Sequence, residues 1–404
     1  MSVAAIICEY NPFHNGHQYH INKIREDLGI DTVVIGIMSG NYTQRGEMAI
    51  ADKAVRARCA VDCGMNLVIE LPFPYSMSSA EIFARSAVHI IESLNVADYL
   101  SFGSENGNIE ALSEISELML SDKYNNALDS IVKESTKSGI GYPEMVETAI
   151  KKCGCTSRIE FSPNNILALE YLKALKTSGS TIKPHTVKRL GADYNSEQIT
   201  NSNSYESATA IRNEIRQKNI SALEYIPKQA KNNILNEIKI GAFPCDAEKI
   251  SSAIISSLRL NSPSSECNIH DCGGGLYNRL IEKSFEANDI NTLLRLCETK
   301  AYTNARLRRA IMYSFLGVTS SDVKSTPMFT QILAFDEKGQ ALLKKIKKRS
   351  TISILTKPSA SKNIPEEAAR QKELSDKADS IFQLTKPIPP DGNFALRFTP
   401  YVKK

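Results

Sequence analysis

The stretch "AAIICEYNPFHNGHQYHINKIRED" (residues 4–27) decides the fold of this chain. An apolar run over residues 3–8 predicts a buried strand, and the pattern turns helical over residues 15–28. Between them an Asn-Pro pair breaks the chain, and His14, Gly16 and His17 follow within a few residues. The stretch therefore predicts a strand-to-helix corner that carries two imidazoles.

Alternation of strand and helix continues after this corner. Apolar, β-branched runs predict further strands at 32–38, 66–72, 97–105 and 180–191, with helices at 50–63 and 78–94 and mainly helix over 109–177. Strands linked by helices run parallel, which predicts an α/β fold with a doubly wound, Rossmann-like sheet. Ligands bind at the carboxyl ends of such strands. The loops that would meet there contain "NPFHNGH", "SGNYTQRGE", "PFPYS" and "GSENG".

The chain has 404 residues, which is long for one ordinary core. After about residue 218 the alternation fades into helical segments joined by polar linkers. We therefore expect an α/β domain at 1–217 and a mainly helical domain at 218–404.

Composition restricts the class of protein. Hydrophobic residues make up 42% and charged residues 23%, with a net charge of +4, as in soluble globular proteins. No apolar run could span a bilayer and the start lacks a basic leader, so a cytoplasmic location without a membrane partner is expected. The nine cysteines form no CxxC pair, which favours reduced thiols over a structural zinc site.

The His14-Asn15-Gly16-His17 corner has the chemistry of a phosphate site. Backbone N–H groups and the positive end of a helix favour phosphate, and Gly16 lets a nucleotide approach the backbone. Two imidazoles three residues apart at a helix start lie on nearly the same side, where they can donate hydrogen bonds to a leaving pyrophosphate. The alternative is a capped turn with surface histidines, and the position directly after a strand favours the phosphate site.

A second element, "SATAIR" from Ser207 to Arg212, places hydroxyls and a guanidinium at a predicted helix start. With "NPFHNGH", it resembles the HIGH-type nucleotidyltransferase superfamily. In chain order, "EYNPFHNGHQYHI", "MSGNYTQRGEMAIADKAVRARCAV", "NLVIELPF", "FGSENGNI", "SPNNILALEY", "KRLGADYN" and "YTNARLRRAIMYSFLG" resemble the tRNA(Met) cytidine acetate ligase family over residues 1 to about 317.

The resemblance implies that ATP activates acetate as acetyl-adenylate, and that the acetyl group passes to N4 of the wobble cytidine of elongator tRNA(Met). Residues 1–217 would be the catalytic, ATP-binding domain, with His14 and His17 as the catalytic pair, and 218–404 would bind tRNA. The implied ATP-binding residues are Ile7, Cys8, Glu9, Tyr10, Asn11, Pro12, Phe13, His14, Asn15, Gly16, His17, Gln18, Tyr19, His20, Gly103, Asn164, Arg189, Ser207, Thr209 and Arg212.

Several of these roles have a structural alternative. Ser207, Thr209 and Arg212 would bind the β- and γ-phosphates, or they form a simple capping motif. Gly103 would let the nucleoside lie against a strand end, or it is a plain turn glycine. Asn164 would contact the nucleotide while Asn165 caps the helix, or both cap. Arg189 would reach a phosphate, or it is a solvated surface residue. Magnesium is expected to arrive with ATP, since no carboxylate cluster marks a dedicated cage. The Tyr194-Asn195 ending of "KRLGADYN" departs from the His-Asp common in the family, and we assign it no role.

Basic residues suggest where RNA would bind. Lys53 and Arg56 would contact phosphate or tRNA, or form a solvated helix face. Arg306, Arg308 and Arg309 lie on a predicted helix of the second domain, and "ALLKKIKKRS" adds Lys344, Lys345, Lys347, Lys348 and Arg349. Neutralising several phosphates gives salt-sensitive affinity for RNA.

Three other functions share parts of this pattern. An adenylyltransferase for a small phosphorylated metabolite would use the same corner, but needs no basic helices. A non-catalytic RNA-binding protein would not need His14, Gly16, His17 and Arg212. An acetate ligase for a protein thiol, as in citrate lyase ligase, would not need the "YTNARLRRA" segment.

Overall fold

The fold was obtained as a computed structural model, which describes residues 2–135, 142–155, 157, 159–189, 206–264, 267–299, 302–357 and 364–404. Its strands are β1 (Val3–Cys8), β2 (Val33–Ser39), β3 (Leu67–Leu71), β4 (Tyr99–Ser104), β5 (Lys183–Lys188), β6 (Phe329–Phe335), β7 (Ser353–Leu355) and β8 (Tyr401–Val402). Its helices are α1 (Asn15–Leu28), α2 (Lys53–Asp62), α3 (Ala80–Ser93), α4 (Ile109–Met119), α5 (Asp122–Ser135), α6 (Tyr142–Lys152), α7 (Pro163–Thr177), α8 (Ala208–Arg216), α9 (Lys228–Lys239), α10 (Ser251–Arg259), α11 (Leu276–Ser284), α12 (Ile290–Cys297), α13 (Asn304–Leu316), α14 (Glu337–Arg349) and α15 (Ala369–Gln383).

Five parallel strands form the predicted doubly wound sheet in the order β5-β4-β1-β2-β3. The order reverses between β1 and β4, since the chain builds outward from β1 to β3 and then returns to β4 on the other side. A crevice forms at such a reversal, outside the carboxyl ends of the two strands. The sheet thus places the His14 corner, which follows β1, beside the loop that follows β4.

One edge of the sheet contains strands that the sequence did not predict. Strand β6 pairs antiparallel with β3, and both β7 and β8 pair with β6. These three strands come from the part of the chain that we expected to be mainly helical. Because β6 covers the open edge of β3, the sheet is mixed at this side and draws on both ends of the sequence.

Apolar side chains cover both faces of the sheet. Helices α3, α4 and α7 pack on one face through residues such as Phe83, Leu112 and Leu169. Helices α1, α2 and α9 pack on the other face, where Ile21 and Ile24 are fully buried. Burial of this kind contributes roughly 1.5–3 kcal/mol for each large apolar side chain. It anchors α1, and therefore the imidazole corner at its start.

A third apolar cluster lies among α10, α11, α12, α13 and α15. It includes Tyr42 and Phe73, which stand in the loops after β2 and β3. The helical part of the chain is thus packed against the loops at the carboxyl edge of the sheet. A division at residue 217/218 stays a prediction, and the two parts share this core.

No helix in the part of the chain that the structure describes is long and apolar enough to cross a membrane.

Candidate active site

A cleft of about 470 Å³ opens where the sheet order reverses, at the carboxyl ends of β1 and β4. Most of the residues expected to bind ATP line it, drawn from the corner after β1, from β4, from the start of α7, from the end of β5 and from the start of α8. These residues are Ile7, Cys8, Glu9, Tyr10, Asn11, His14, Gly16, His17, Tyr19, His20, Gly103, Asn164, Arg189, Ser207, Thr209 and Arg212. The fold therefore brings together segments that are about 200 residues apart in sequence.

His14 and His17 cap the start of α1 with their own side chains. Nδ1 of His14 accepts a hydrogen bond from the Gly16 N–H at 3.1 Å, and Nδ1 of His17 accepts one from the His14 N–H at 3.2 Å. A neutral imidazole that accepts at Nδ1 carries its proton at Nε2. The two rings, whose centroids lie 3.7 Å apart, therefore each hold an Nε2–H donor. A Cβ on Gly16 would lie 3.0 Å from the His14 ring, so the glycine permits this close packing.

The surroundings of both rings favour the neutral form. Burial, and then the positive charges of Arg189 and Arg212, lower the pKa of His14 to about 3. Burial and the neighbouring His14 lower the pKa of His17 well below its usual value. Both residues are thus neutral hydrogen-bond donors near pH 7 rather than cations. Positive charge in the cleft comes from arginines instead.

Arg212 is held at the cleft by three contacts. Its Nη1 donates to the Asn11 carbonyl at 2.8 Å, and its Nη2 donates to Thr209 Oγ1 at 3.2 Å and pairs with Glu47 at 3.4 Å. Its Nε is buried without a hydrogen-bond partner among the residues that the structure describes. A buried donor without a partner is costly, and an anion bound in the cleft would satisfy it.

Arg308 of α13 also lines the cleft, where its Nη1 pairs with Glu47 at 3.2 Å. It was expected to bind tRNA from a separate domain. Gly46 allows the approach: its φ is +81°, and a Cβ there would lie 2.6 Å from the Arg309 backbone nitrogen. Glu47 therefore sits between two guanidinium groups that belong to different parts of the chain.

The loop after β2 supplies site residues to which the sequence analysis assigned no role. Thr43, Gln44, Arg45 and Glu47 all line the cleft. Glu9, at the end of β1, accepts a hydrogen bond from the Gln44 N–H at 2.7 Å, and burial raises its pKa. The signal that could have found them was present, because "SGNYTQRGE" follows a strand and was expected at this edge of the sheet.

Asn164, Arg189 and Gly103 lie together on the opposite wall. Asn164 accepts from Arg189 at 3.3 Å and donates to Glu105 at 2.8 Å. Asn165 was expected to cap α7, but the N-cap is Ser162, whose Oγ accepts a hydrogen bond from the Asn165 N–H. The buried Asn165 side chain instead bonds the loop after β4 through the Glu105 N–H. The Tyr194-Asn195 departure lies outside the described residues.

Four residues of the expected ATP cradle do not line the cleft. Phe13 is 1% exposed and packs against Tyr10, with ring centroids 4.9 Å apart, so it belongs to the core. Gln18 is turned to the α2 side, where it donates to the Cys63 carbonyl at 2.8 Å. Pro12, in the turn, and Asn15, the first residue of α1, are likewise absent from the cleft wall.

Lys53 and Arg56 are interior residues, which corrects both readings proposed from the sequence. Lys53 is 4% exposed and its Nζ pairs with Glu70 at 2.7 Å and with Asp379 of α15, a group we call the Lys53 cluster. Arg56 is 1% exposed and donates to the backbone carbonyls of Glu9 and Gly40. Neither side chain is open to phosphate or RNA, and Arg56 instead joins the ends of β1 and β2.

Two other arginines of α13 bond to residues of the protein interior or to backbone carbonyls. Arg309 is 7% exposed and pairs with Asp271 at 2.6 Å, so it too is corrected from an RNA contact to an interior ion pair. Arg306 donates to the carbonyls of Asp271 and Gly273.

The exposed cations of α14 lie far from the cleft. The start of α14 packs on Asn66, which precedes β3, and its end bonds to Asn95, which precedes β4. Both ends are therefore at the amino edge of the sheet, opposite the cleft. RNA binding there stays a prediction, which this position does not favour.

No group of three or more His, Cys, Asp or Glu residues suited to a metal ion occurs in the described part of the chain.

Comparison with known proteins places this geometry in a family. The family model of the HIGH nucleotidyl transferases matches residues 1–393. The chain is 39% identical over 367 residues to a tRNA(Met) cytidine acetate ligase of Thermoanaerobacter sp. (strain X514), covering 89% of each chain. It is 35% identical over 401 residues to the ligase of the same name from Clostridium perfringens (strain SM101), covering 96% of each.

Solved structures agree with this result. The apo crystal structure of Thermotoga maritima TmcAL has a TM-score of 0.92 at 28% identity, covering 100% of this chain and 99% of that one. The structure of the same protein bound with alpha-thio ATP has a TM-score of 0.90, also at 28% identity, covering 100% of both. The predicted fold class and the resemblance are confirmed: this chain belongs to the HIGH nucleotidyl transferases and, within them, to the tRNA(Met) cytidine acetate ligase family.

Proposed function

We propose that this chain uses ATP to activate acetate and transfers the acetyl group to N4 of the wobble cytidine of elongator tRNA(Met). The observation that carries the proposal is the pair of neutral imidazole donors at the start of α1, which shares one cleft with Arg212. The names of the relatives favour this ligase over an adenylyltransferase for a small metabolite.

In the first step an acetate oxygen attacks the α-phosphorus of ATP, and the bond to the bridging oxygen of pyrophosphate breaks. Negative charge grows on the leaving pyrophosphate. The Nε2–H groups of His14 and His17 stabilise this charge as preorganised donors, because their Nδ1 atoms are already fixed by backbone N–H groups. Arg212, whose Nε has no partner in the described segments, binds the β- and γ-phosphates.

Magnesium would enter with the nucleotide. Of the carboxylates that line the cleft, which include Glu206, both Glu9 and Glu47 are already bonded, to the Gln44 N–H and to two arginines. The residues present therefore fit a metal held mainly by phosphate oxygens, which would neutralise part of the triphosphate charge.

In the second step the N4 amine of the cytidine attacks the acetyl carbonyl carbon, and the bond to the AMP oxygen breaks. The amine must reach the same cleft, so the wobble base is turned out of its stack. The products are N4-acetylcytidine in tRNA, AMP and a proton.

The test is incubation of the protein with ATP, labelled acetate and bulk tRNA, followed by mass spectrometry of the nucleosides. Labelled N4-acetylcytidine is the expected product. The matched control is His17→Asn, whose side-chain oxygen can still accept from the His14 N–H. It should keep the fold and lose about 100-fold or more in adenylate formation. Label in a small adenylated metabolite, with none in tRNA, would refute the proposal.

A further inference from the structure

A chain of hydrogen bonds leads from the cleft to the outside of the sheet. His20 of α1, which lines the cleft, has its Nε2 2.8 Å from Ser101 Oγ on β4. Ser101 Oγ lies 3.0 Å from Nδ1 of His185 on β5, and Nε2 of His185 lies 3.3 Å from Asp27 Oδ2. The other oxygen of Asp27 forms an ion pair with Lys23 at 3.1 Å.

The carboxylate of Asp27 determines where the proton lies in each of these hydrogen bonds. Asp27, paired with Lys23 through one oxygen, accepts through the other from His185, which therefore donates from Nε2. Burial lowers the pKa of His185, which is therefore neutral and accepts at Nδ1. The single hydroxyl hydrogen of Ser101 must then point to His185, and Ser101 Oγ accepts from Nε2–H of His20. Burial lowers the pKa of His20 to about 3, so its ring is neutral and Nδ1 carries no proton.

That nitrogen is available to a ligand. Ser101 Oγ is the only hydrogen-bond partner of the His20 ring in the described part of the chain, and the bond is made through Nε2. Nδ1 of His20 is therefore an open acceptor in the ring that borders the cleft. His14 and His17 have the opposite polarity, since their Nδ1 atoms are occupied and their Nε2 atoms donate. The cleft thus holds two imidazole donors and one imidazole acceptor.

The position of His20 relates it to the nucleoside part of a substrate. Ser101 and Gly103 are two residues apart on β4 and so face the same side of the sheet. His20 therefore lies beside Ser101, two residues before Gly103 on β4, whereas Arg212 stands in the middle of α8. An acceptor suits a hydroxyl or amino group and repels phosphate oxygens.

We propose that His20 binds a hydroxyl or amino hydrogen of a nucleoside substrate through Nδ1, and that Ser101, His185 and Asp27 are positioning residues that hold His20 in this tautomer. The proposal rests on the proposed function for the identity of the two nucleosides, which are ATP and the acceptor cytidine. The hydrogen-bond chain itself is independent of that function.

Two variants of His20 distinguish the role of its Nδ1 from the role of its Nε2. His20→Asn keeps an acceptor near the Nδ1 position and loses the bond to Ser101. His20→Gln keeps a donor to Ser101 and loses the acceptor. A substrate donor left without a partner costs about tenfold in binding or rate, so His20→Gln should show that loss and His20→Asn a smaller one. His89→Gln on α3, outside the cleft, is the control for loss of an imidazole.

Two measurements distinguish the source of the donor. Calorimetric titration with ATP alone reports contact with its nucleoside. If a ribose hydroxyl is the donor, 2′-deoxy-ATP or 3′-deoxy-ATP should bind the wild type and His20→Gln equally. Single-turnover transfer of acetyl to tRNA reports contact with the cytidine amine. A wild type that binds ATP but never acetylates tRNA would refute the proposed function and leave the calorimetric comparison valid.

Nitrogen-15 NMR of the ring in the full-length protein tests the tautomer directly. We expect a bare Nδ1 and a protonated Nε2 at His20, and a proton shifted toward Nδ1 in Ser101→Ala, which a purely steric role of Ser101 would not produce. A protonated Nδ1 in the wild type, or His20→Gln equal to the wild type in both ATP affinity and transfer rate, would overturn the proposal.

Discussion

The cleft and the Lys53 cluster both gather charged side chains at the carboxyl edge of one sheet, yet they differ in how those charges are paired. Lys53 is buried with two carboxylates, and Asp379 is bonded in turn by Asn41 at 2.8 Å. In the cleft the buried Nε of Arg212 has no hydrogen-bond partner within the described ranges of the chain. Glu47 there is shared between Arg212 and Arg308 at 3.4 and 3.2 Å.

The difference indicates which cations stabilise the fold and which bind a ligand. A buried cation with all its donors satisfied has nothing left to offer a substrate, and removing it leaves bare carboxylates in the interior. A cation that borders the open cleft can exchange its carboxylate for a phosphate. The three predictions below test this contrast.

The largest effect is expected for Lys53→Met. It leaves Glu70 and Asp379 together without a counter-charge, so the free energy of unfolding should fall by about 3–5 kcal/mol in urea titration. Burial already raises the pKa of Glu70 to about 7, so without Lys53 the loss should be greater at pH 8 than at pH 5. Lys344→Met on exposed α14 is the control, with little change expected. Equal stability of both variants would contradict the contrast.

A smaller effect, on binding alone, is expected for Arg308→Gln. Loss of one charge-assisted contact to phosphate should weaken ATP binding about tenfold in the absence of tRNA, with stability nearly unchanged. Arg306→Gln is the matched control on the same helix, because Arg306 bonds backbone carbonyls outside the cleft. If only tRNA affinity falls in Arg308→Gln, its assignment to the nucleotide side of the cleft is wrong.

The smallest effect at neutral pH is expected for His14, which adds a pH dependence to stability. Its pKa is about 3 in the folded protein against an ordinary 6.5. Between these values the unfolded chain binds a proton there and the folded protein does not, so stability falls as pH falls. His14→Asn lacks this loss, and the stability advantage of the wild type over it should shrink from pH 7 to pH 4 in urea titrations. A difference that stays constant with pH would show that His14 is not held neutral.

Much of the fold was predictable because its signals are local. The strand at 3–8, the helix at 15–28 and the corner between them depend on apolar periodicity and turn chemistry within a few residues. The same holds for the loops expected at the carboxyl edge. Strand β6 escaped prediction because its pairing with β3 joins residues more than 260 positions apart.

The candidate site was predictable where a motif defines backbone geometry, as at His14, Gly16, His17 and Arg212. It was not predictable where a distant partner decides the outcome. Lys53 and Arg308 are both basic residues on helices. Only the tertiary structure gives Lys53 the carboxylate of Asp379, 326 residues away, and places Arg308 beside Glu47.

The antiparallel pairing of β6 with β3 has a consequence for synthesis on the ribosome. Until residues 329–335 have emerged, the nascent chain presents β3 as an open sheet edge of five largely apolar residues. Such edges recruit strands from other chains. Translation that stops in the middle of the message should therefore leave a product that aggregates and not a smaller active enzyme. The last quarter of the polypeptide thus protects the first quarter from aggregation.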